Sequence, residues 1–301
     1  MRRDIGLGVD VGGTFAKMVL VDGRGRVLLQ GRIPSSPEKG PERFVARLAR
    51  SIREFERRSP RRPGTACLAV AGDVDPAAGC VRRSPNLPAF EGFPLRDALT
   101  GALERPVCMH NDANMAAWGA YALELGRRYD DVVTLTLGTG VGGGVVLGGR
   151  LHTGATGSAG EAGHMRVVFG GETCGCGAKG CLEAYAGKYG ILRLAAAAGL
   201  KPRDPAALAE AAAAGDRAAR AVWLRVGEAL GVGIVNLVYL LNPEAVVITG
   251  GISAAGRHFI GPIRRALSQE SFRAAFDRVH VHLAKRAELG VLGAALYSLE
   301  P

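Results

Sequence analysis

Long apolar runs are missing from this chain. None of its stretches reaches eighteen apolar residues, which argues against a membrane-spanning helix. The N-terminus, MRRDIGLGVDVGG, meets glycines and acids before a secretory apolar core could form. A cytoplasmic protein with no membrane partner is expected. Cysteine is also scarce, with six in 301 residues. Cys67, Cys80 and Cys108 follow no recognisable spacing, which fits reduced thiols and not a disulfide framework. Lysine is far outnumbered by arginine within a net charge of +10. That charge invites a nucleic-acid partner, and Arg43, Arg47, Arg50, Arg53, Arg57, Arg58, Arg61 and Arg62 do cluster. However, Phe44, Val45, Leu48, Ile52 and Phe55 recur between them at three- and four-residue steps. The segment therefore reads as an amphipathic helix with a solvated basic face, and no nucleic-acid partner is expected.

The remaining three cysteines are spaced in a different way. Cys174, Cys176 and Cys181 lie within eight residues, interleaved with Gly175, Gly177 and Gly180, which allow tight backbone bends. His164 can supply a fourth ligand. A Cys₃His set closes a tetrahedral zinc site and leaves no position for a reacting water, so the metal expected here is structural. A trio of reduced or disulfide-linked cysteines on a glycine-rich loop is the alternative.

The rest alternates strands with helices. IGLGVDV, a glycine turn and AKMVLVD read as a hairpin, followed after a turn at Asp22 to Gly25 by VLLQGRI. Beyond the basic helix come the strand ACLAVAG, the loop SPNLPAFEGF, a short helix near Leu95 to Leu103, the strand PVCMH and a helix starting close to Asn111. VVTLTLGTGVGGGVVLGGR then restates the opening theme of strand, glycine turn, strand, so the chain looks internally duplicated. Helices dominate from Leu182 to Leu241, the strand AVVITGG follows, and a last helix from Val291 to Leu299 is expected to pack back on the first half. The pattern is that of an α/β fold with mixed sheets flanked by helices.

In order, the chain carries GVDVGGTFAK, SPNLPAF, HNDAN, TLGTGVGGG, GSAGEAGH, CGCGAKGCLE and VVITGG. Together these motifs resemble the ROK family of sugar kinases and sugar-responsive repressors, from Gly6 to about Gly293. The resemblance implies a two-lobed actin-like ATPase (ribonuclease H-like) fold with a structural zinc loop in the second lobe. It implies an N-terminal lobe of residues 1–112 plus 287–301 and a C-terminal lobe of 113–286. It further implies an ATP-dependent hexose kinase acting on a 6-hydroxyl, glucose foremost, with an N-acetylmannosamine, N-acetylglucosamine or fructose kinase, or a non-catalytic sugar-sensing regulator, as alternatives. A homodimer or larger assembly is expected from the same resemblance. Repressors of the family carry an extra DNA-binding domain ahead of the DxGGT motif. Only nine residues precede Asp10 here, so operator binding is not expected.

The residues agree with that chemistry. Gly12 and Gly13 let backbone N–H groups approach phosphate oxygens, the Thr14 hydroxyl adds a donor, and Asp10 is placed to hold magnesium. Gly138, Thr139 and Gly140 form the equivalent turn of the second half, and Gly250 and Gly251 follow a strand where the family places adenosine. Phosphoryl transfer needs a carboxylate to accept the attacking hydroxyl's proton. Asp112 stands at the family's position for that base; a plain N-cap is its structural alternative. Asn86, Asn111, Asp112, Glu161, His164 and Glu183 match family positions that touch sugar, His164 serving both zinc and sugar. Phe90 and Ala120 depart from the commonest family pattern, which puts pocket shape or packing in question there.

Overall fold

The computed structural model describes residues 5–59 and 61–300. Its backbone is built on one topology used twice. The first sheet opens with β1 (Ile5–Val11), β2 (Phe15–Asp22) and β3 (Val27–Pro34). These pair antiparallel, with Asp10 opposite Lys17. The turn between β2 and β3 is tied by Asp22, whose Oδ1 accepts from the amides of Arg24 and Arg26, both at 2.9 Å. Helix α1 (Pro41–Glu56) follows and buries the five apolar residues of the basic segment, leaving its arginine face outward. Next come β4 (Ala66–Val70), the small ribbon β5 (Asp73–Asp75) and β6 (Cys80–Arg83), α2 (Leu95–Leu103) and β7 (Val107–Asn111). Strands β4 and β7 add parallel to β1, giving the order β3-β2-β1-β4-β7.

Helix α3 (Asp112–Gly119) continues into a π-helical turn over Ala120–Glu124 and leads to β8 (Val132–Leu137), β9 (Val141–Leu147) and β10 (Arg150–His152). After α4 (Glu183–Ala186), α5 (Lys188–Ala197), α6 (Pro205–Ala213) and α7 (Arg217–Leu241) come β11 (Ala245–Thr249), α8 (Gly256–Ser268), α9 (Arg273–Phe276), β12 (His280–Leu283) and α10 (Leu289–Tyr297). The second sheet has the order β10-β9-β8-β11-β12, antiparallel through β10, β9 and β8 and parallel through β8, β11 and β12. Each half is thus a three-stranded meander extended by two parallel strands, as the repeated strand and glycine pattern implies. The ribbon β5–β6 and the outer strands β10 and β12 are elements that the sequence pattern did not announce.

Helix α7 is long and apolar enough to cross a membrane by length and composition alone. Trp223, Val226, Leu230, Ile234 and Val238 on it are buried in the core of the second half, which accounts for its apolarity.

Between the sheets lies a third core, made by α3 and α10 with Val19, Val21, Cys67 and Ala69 of the first sheet and Val132, Val146, Ala245 and Val247 of the second. The last helix begins two residues earlier than the sequence pattern suggests and packs against β1 and α3. Its contact with α3 is backbone on backbone: a Cβ on Gly293 would stand 1.8 Å from the Met115 carbonyl oxygen, and one on Gly119 would stand 2.3 Å from that of Leu289. Gly293→Ala is therefore expected to force the helices apart and destabilise the fold by about 1–3 kcal/mol, the usual cost of overpacking a core. A urea midpoint unchanged from the parent would refute this close contact.

Candidate active site

The paired topology brings two glycine turns to equivalent places. Gly12, Gly13 and Thr14 connect β1 to β2, and Gly138, Thr139 and Gly140 connect β8 to β9. The Gly12 amide closes its own turn on the Phe15 carbonyl (3.1 Å), and the Gly138 amide does so on Gly140 (3.0 Å). These two donors are therefore engaged within the turns. Thr14 and Thr139 are exposed. Gly250 ends β11 with φ 92, in the region that favours glycine. It lies so near the second turn that a Cβ would be 2.3 Å from the Leu137 carbonyl oxygen. Gly251 next to it faces open space. Asn86 sits across from the first turn, its Cβ 3.3 Å from where a Gly13 Cβ would be.

The carboxylates gather at the junction of β1, β7, α3 and α10. Asp10 is near the end of β1, Asp112 is the first residue of α3, and Gly290 of α10 lies between them: a Cβ there would be 3.7 Å from the Asp112 carbonyl oxygen and 4.0 Å from Asp10 Oδ2. Asp112 is not the helix cap. Asn111 is, its Oδ1 accepting from the amides of Ala113 (2.8 Å) and Asn114 (3.3 Å) while its Nδ2 donates to the Gly72 carbonyl (2.8 Å). The capping role lies one residue earlier than the alternative reading of Asp112 supposed. Most of the Asn111 side chain is accordingly engaged in holding α3 against the loop after β4. Burial, then the nearby Asp10 charge, pushes Asp112 up to about 6, opposed by its bond from the Ala113 amide. Burial likewise raises Asp10, while Lys17 acts against the shift and Glu288 adds to it. Lys17 pairs with Glu288 at 2.9 Å.

Glu161 adds its charge to the field at Asp112. Its own carboxyl is raised by desolvation, lowered by His164 and raised again by Asp73 and Glu183. Glu183, at the start of α4, joins two pieces of the site. One of its oxygens accepts from the Val141 amide (3.0 Å) and the other from the Cys174 thiol (3.3 Å). It also crowds the second glycine turn, where a Cβ on Gly140 would lie 2.2 Å from Glu183 Oε2.

His164, Cys174, Cys176 and Cys181 converge, one ligand atom from each lying within 4.8 Å of the others. Cys176 and Cys181 sulfurs are 3.8 Å apart, and Cys174 Sγ is 3.9 Å from His164 Nδ1. Two thiolates on one tetrahedral zinc at bonds of about 2.3 Å would be about 3.8 Å apart, so the donor set and its spacing fit that ion. Gly177 and Gly180 take φ of 88 and 81 to make the bends; Gly175 does not need a positive φ. Burial pushes the Cys174 thiol up to about 12, and a cation bound there would displace its proton. Nδ1 of His164 faces the sulfurs and Nε2 faces Glu161 at 4.0 Å.

Phe90 and Ala120 are fully buried. Phe90 stacks edge-on with Phe44 of α1 at 5.2 Å between centroids, so its departure from the family pattern is one of packing. Residues that sequence reasoning passed over include Glu288, the partner of Lys17, and Asp73 and Arg82 on the β5–β6 ribbon. Lys17 and Glu288 lie 271 positions apart, so no local pattern in the sequence pairs them.

Two repeated sheets with glycine turns at matching strand junctions and carboxylates between them define an α/β fold of the actin-like ATPase type. The chain belongs to the ROK family, whose model matches residues 6–300. It is 36% identical to a glucokinase of Thermotoga maritima, over 96% of this chain and 95% of that one. The structure is similar to that of a ROK hexokinase from Thermus thermophilus, with a TM-score of 0.85 and 35% identity over 97% of both chains. It is similar also to a ROK glucokinase from Streptomyces griseus in complex with glucose and AMPPNP, with a TM-score of 0.75 and 31% identity over 97% of this chain and 98% of that one.

Proposed function

We propose that this chain is an ATP-dependent hexose kinase that transfers the γ-phosphoryl group to the 6-hydroxyl of glucose, with Asp112 as the general base. The observation that carries this reading is the placement of Asp112: first residue of α3, beside Asp10, with its carboxyl raised to about 6. A base of that strength is ionised near neutral pH yet still takes up a proton readily. The similarity to glucokinases supports glucose as the acceptor.

In this reading the sugar is held by Asn86, Glu161, His164 and Glu183, with Asn111 keeping α3 and hence Asp112 in place. The 6-hydroxyl gives its proton to the Asp112 carboxylate as its oxygen attacks the terminal phosphorus, and ADP leaves. Donors of the two turns other than the engaged Gly12 and Gly138 amides, at Gly13 and Thr14 and at Thr139 and Gly140, hold the phosphates from both sides, with adenosine toward Gly250 and Gly251. Catalysis of this transfer is chiefly positioning and charge stabilisation, so aligned donors on two facing turns are the main requirement. Magnesium, held with the help of Asp10, supplies compensation of phosphate charge when bound. Zinc at His164, Cys174, Cys176 and Cys181 is structural and fixes the His164 ring. The lobes we assign are 1–112 plus 287–301 and 113–286, with α3 and α10 as the seam; residues 1–4, 60 and 301 lie outside the described residues. A homodimer or larger assembly belongs to the same reading.

A coupled ADP-release assay with magnesium and ATP across hexoses and N-acetylhexosamines tests the proposal. Glucose is expected to give the highest kcat/KM. No turnover with any sugar by the folded, metal-loaded chain would overturn the kinase reading, and preference for an N-acetylhexosamine would reassign its substrate.

A further inference from the structure

Arg82, on β6, binds its own ribbon and also reaches beyond it. Its Nε and Nη2 contact both oxygens of Asp73 at 2.9–3.2 Å, and its Nη1 pairs with Asp75 at 2.8 Å. Nη2 also donates to the Thr156 carbonyl (2.7 Å) and to Ser158 Oγ (2.9 Å), both in the loop after β10 in the second half. Ser158 closes the ring by donating to Asp73 Oδ1 at 3.0 Å. Between those two loop residues, Gly157 has φ 86, and a Cβ on it would lie 2.4 Å from Pro76 Cδ and 3.2 Å from the Val74 carbonyl oxygen. The loop is therefore pressed against the ribbon by backbone contact as well as by the guanidinium.

Ser158 precedes Glu161 by three residues and His164 by six. The segment carrying these two side chains is anchored at its far end by the Cys₃His cluster, wholly within the second half. Its near end is anchored by Arg82, which belongs to the first. Across the halves this near end is held by the Arg82 fork, by the Ser158–Asp73 bond and by the Gly157 contact on Pro76, and Arg82 supplies the charged, directional part of that contact. We propose that Arg82, with Asp73 and Ser158, is a positioning clamp that docks the Glu161–His164 segment on the β5–β6 ribbon and thereby sets the affinity for the hexose. This rests on Glu161 and His164 being sugar ligands.

The chemistry suits a clamp better than a stability element. Arg82 and Asp73 side chains keep 31% and 44% of their surface exposed, and ion pairs so solvated add little to folding. The planar fork nonetheless fixes direction, which an ammonium cannot do. Without it the loop keeps its Gly157 contact on Pro76 but gains conformations, only a fraction of which can bind sugar, and apparent affinity falls by that fraction.

Steady-state kinetics on the full-length, metal-loaded protein test the clamp. Arg82→Met is expected to raise the KM for hexose roughly 10- to 100-fold, the equivalent of one or two lost charge-assisted hydrogen bonds. The KM for ATP, the metal content and the melting temperature should stay near those of the parent. Arg82→Lys should recover little of the loss, Ser158→Ala should raise hexose KM, and Ser158→Thr, which keeps the hydroxyl, should restore it. Glu161→Gln is the reference. If Glu161→Gln raises hexose KM and both Arg82→Met and Ser158→Ala leave it unchanged, the clamp is overturned while the sugar site stands. If Glu161→Gln leaves it unchanged as well, the sugar-ligand reading falls and the clamp with it.

Discussion

Asp112→Asn is expected to cut kcat by about 10²–10⁴-fold, the range that general-base catalysis supplies, while KM for hexose and ATP changes little. The amide keeps the shape of the carboxylate and its acceptance of the Ala113 amide but cannot take up the hydroxyl's proton. The parent enzyme should show kcat/KM rising as pH climbs through about 6, the value to which burial and Asp10 push this carboxyl, and levelling above it. Stability should move the opposite way. The folded chain retains a proton on Asp112 that the unfolded chain releases near 3.8, so the fold loses stability as pH rises between 3.8 and about 6. Asp10, raised for the same reason, adds to the fall. In Asp112→Asn the Asp112 share of that fall disappears, and above pH 6 the variant should be at least as stable as the parent. Urea unfolding at pH 5 and pH 7.5, beside pH–rate profiles, reads both effects. Turnover near the parental rate in the variant would move the base to another residue.

The opposite pH trends of activity and stability bear on what can be read from a sequence. Local order is legible where a short period fixes it. The apolar steps of Phe44, Val45, Leu48, Ile52 and Phe55 bury one face of α1 whatever lies around it. The repeated strand and glycine turn likewise appears as two sheets of one topology. The cysteine spacing and His164 converge as expected because three thiols so near in sequence have few ways to be far apart. Contacts made across long sequence separation are not legible in this way. Asp73, Val74 and Asp75 form a strand too short to show alternation, held by an arginine whose other partners are Thr156 and Ser158. Glu288 meets Lys17 across 271 positions. The division of labour in HNDAN is also hidden: Asn111 and Asp112 are both good caps, and only the backbone, extended at Asn111 and helical from Asp112, assigns capping to the first and not to the second.

Cys176→Ser separates a structural metal from a mere cluster of thiols. The parent is expected to carry one zinc per chain by mass spectrometry of metals, and the variant none or a weakly held one. Structural zinc sites contribute apparent binding free energies on the order of 10 kcal/mol, so loss of one of the three thiolates should leave the loop unfolded locally. The consequence for chemistry runs through His164 and Glu183. With Nδ1 held by the metal, the His164 proton must sit on Nε2, facing Glu161. Without the metal both tautomers and several ring orientations become available. Glu183, which follows Cys181 by two residues and accepts from the Val141 amide, is carried by the same loop, so the second glycine turn loses part of its brace when the loop unfolds. Hexose phosphorylation should therefore fall by about 100-fold or more, at or beyond the upper end of what loss of a partner that orients a ligand costs. Cys80→Ser, distant from the cluster in sequence and not among its ligands, should keep both zinc and activity. A metal-free Cys176→Ser protein with parental turnover would show that the four side chains hold the loop without an ion.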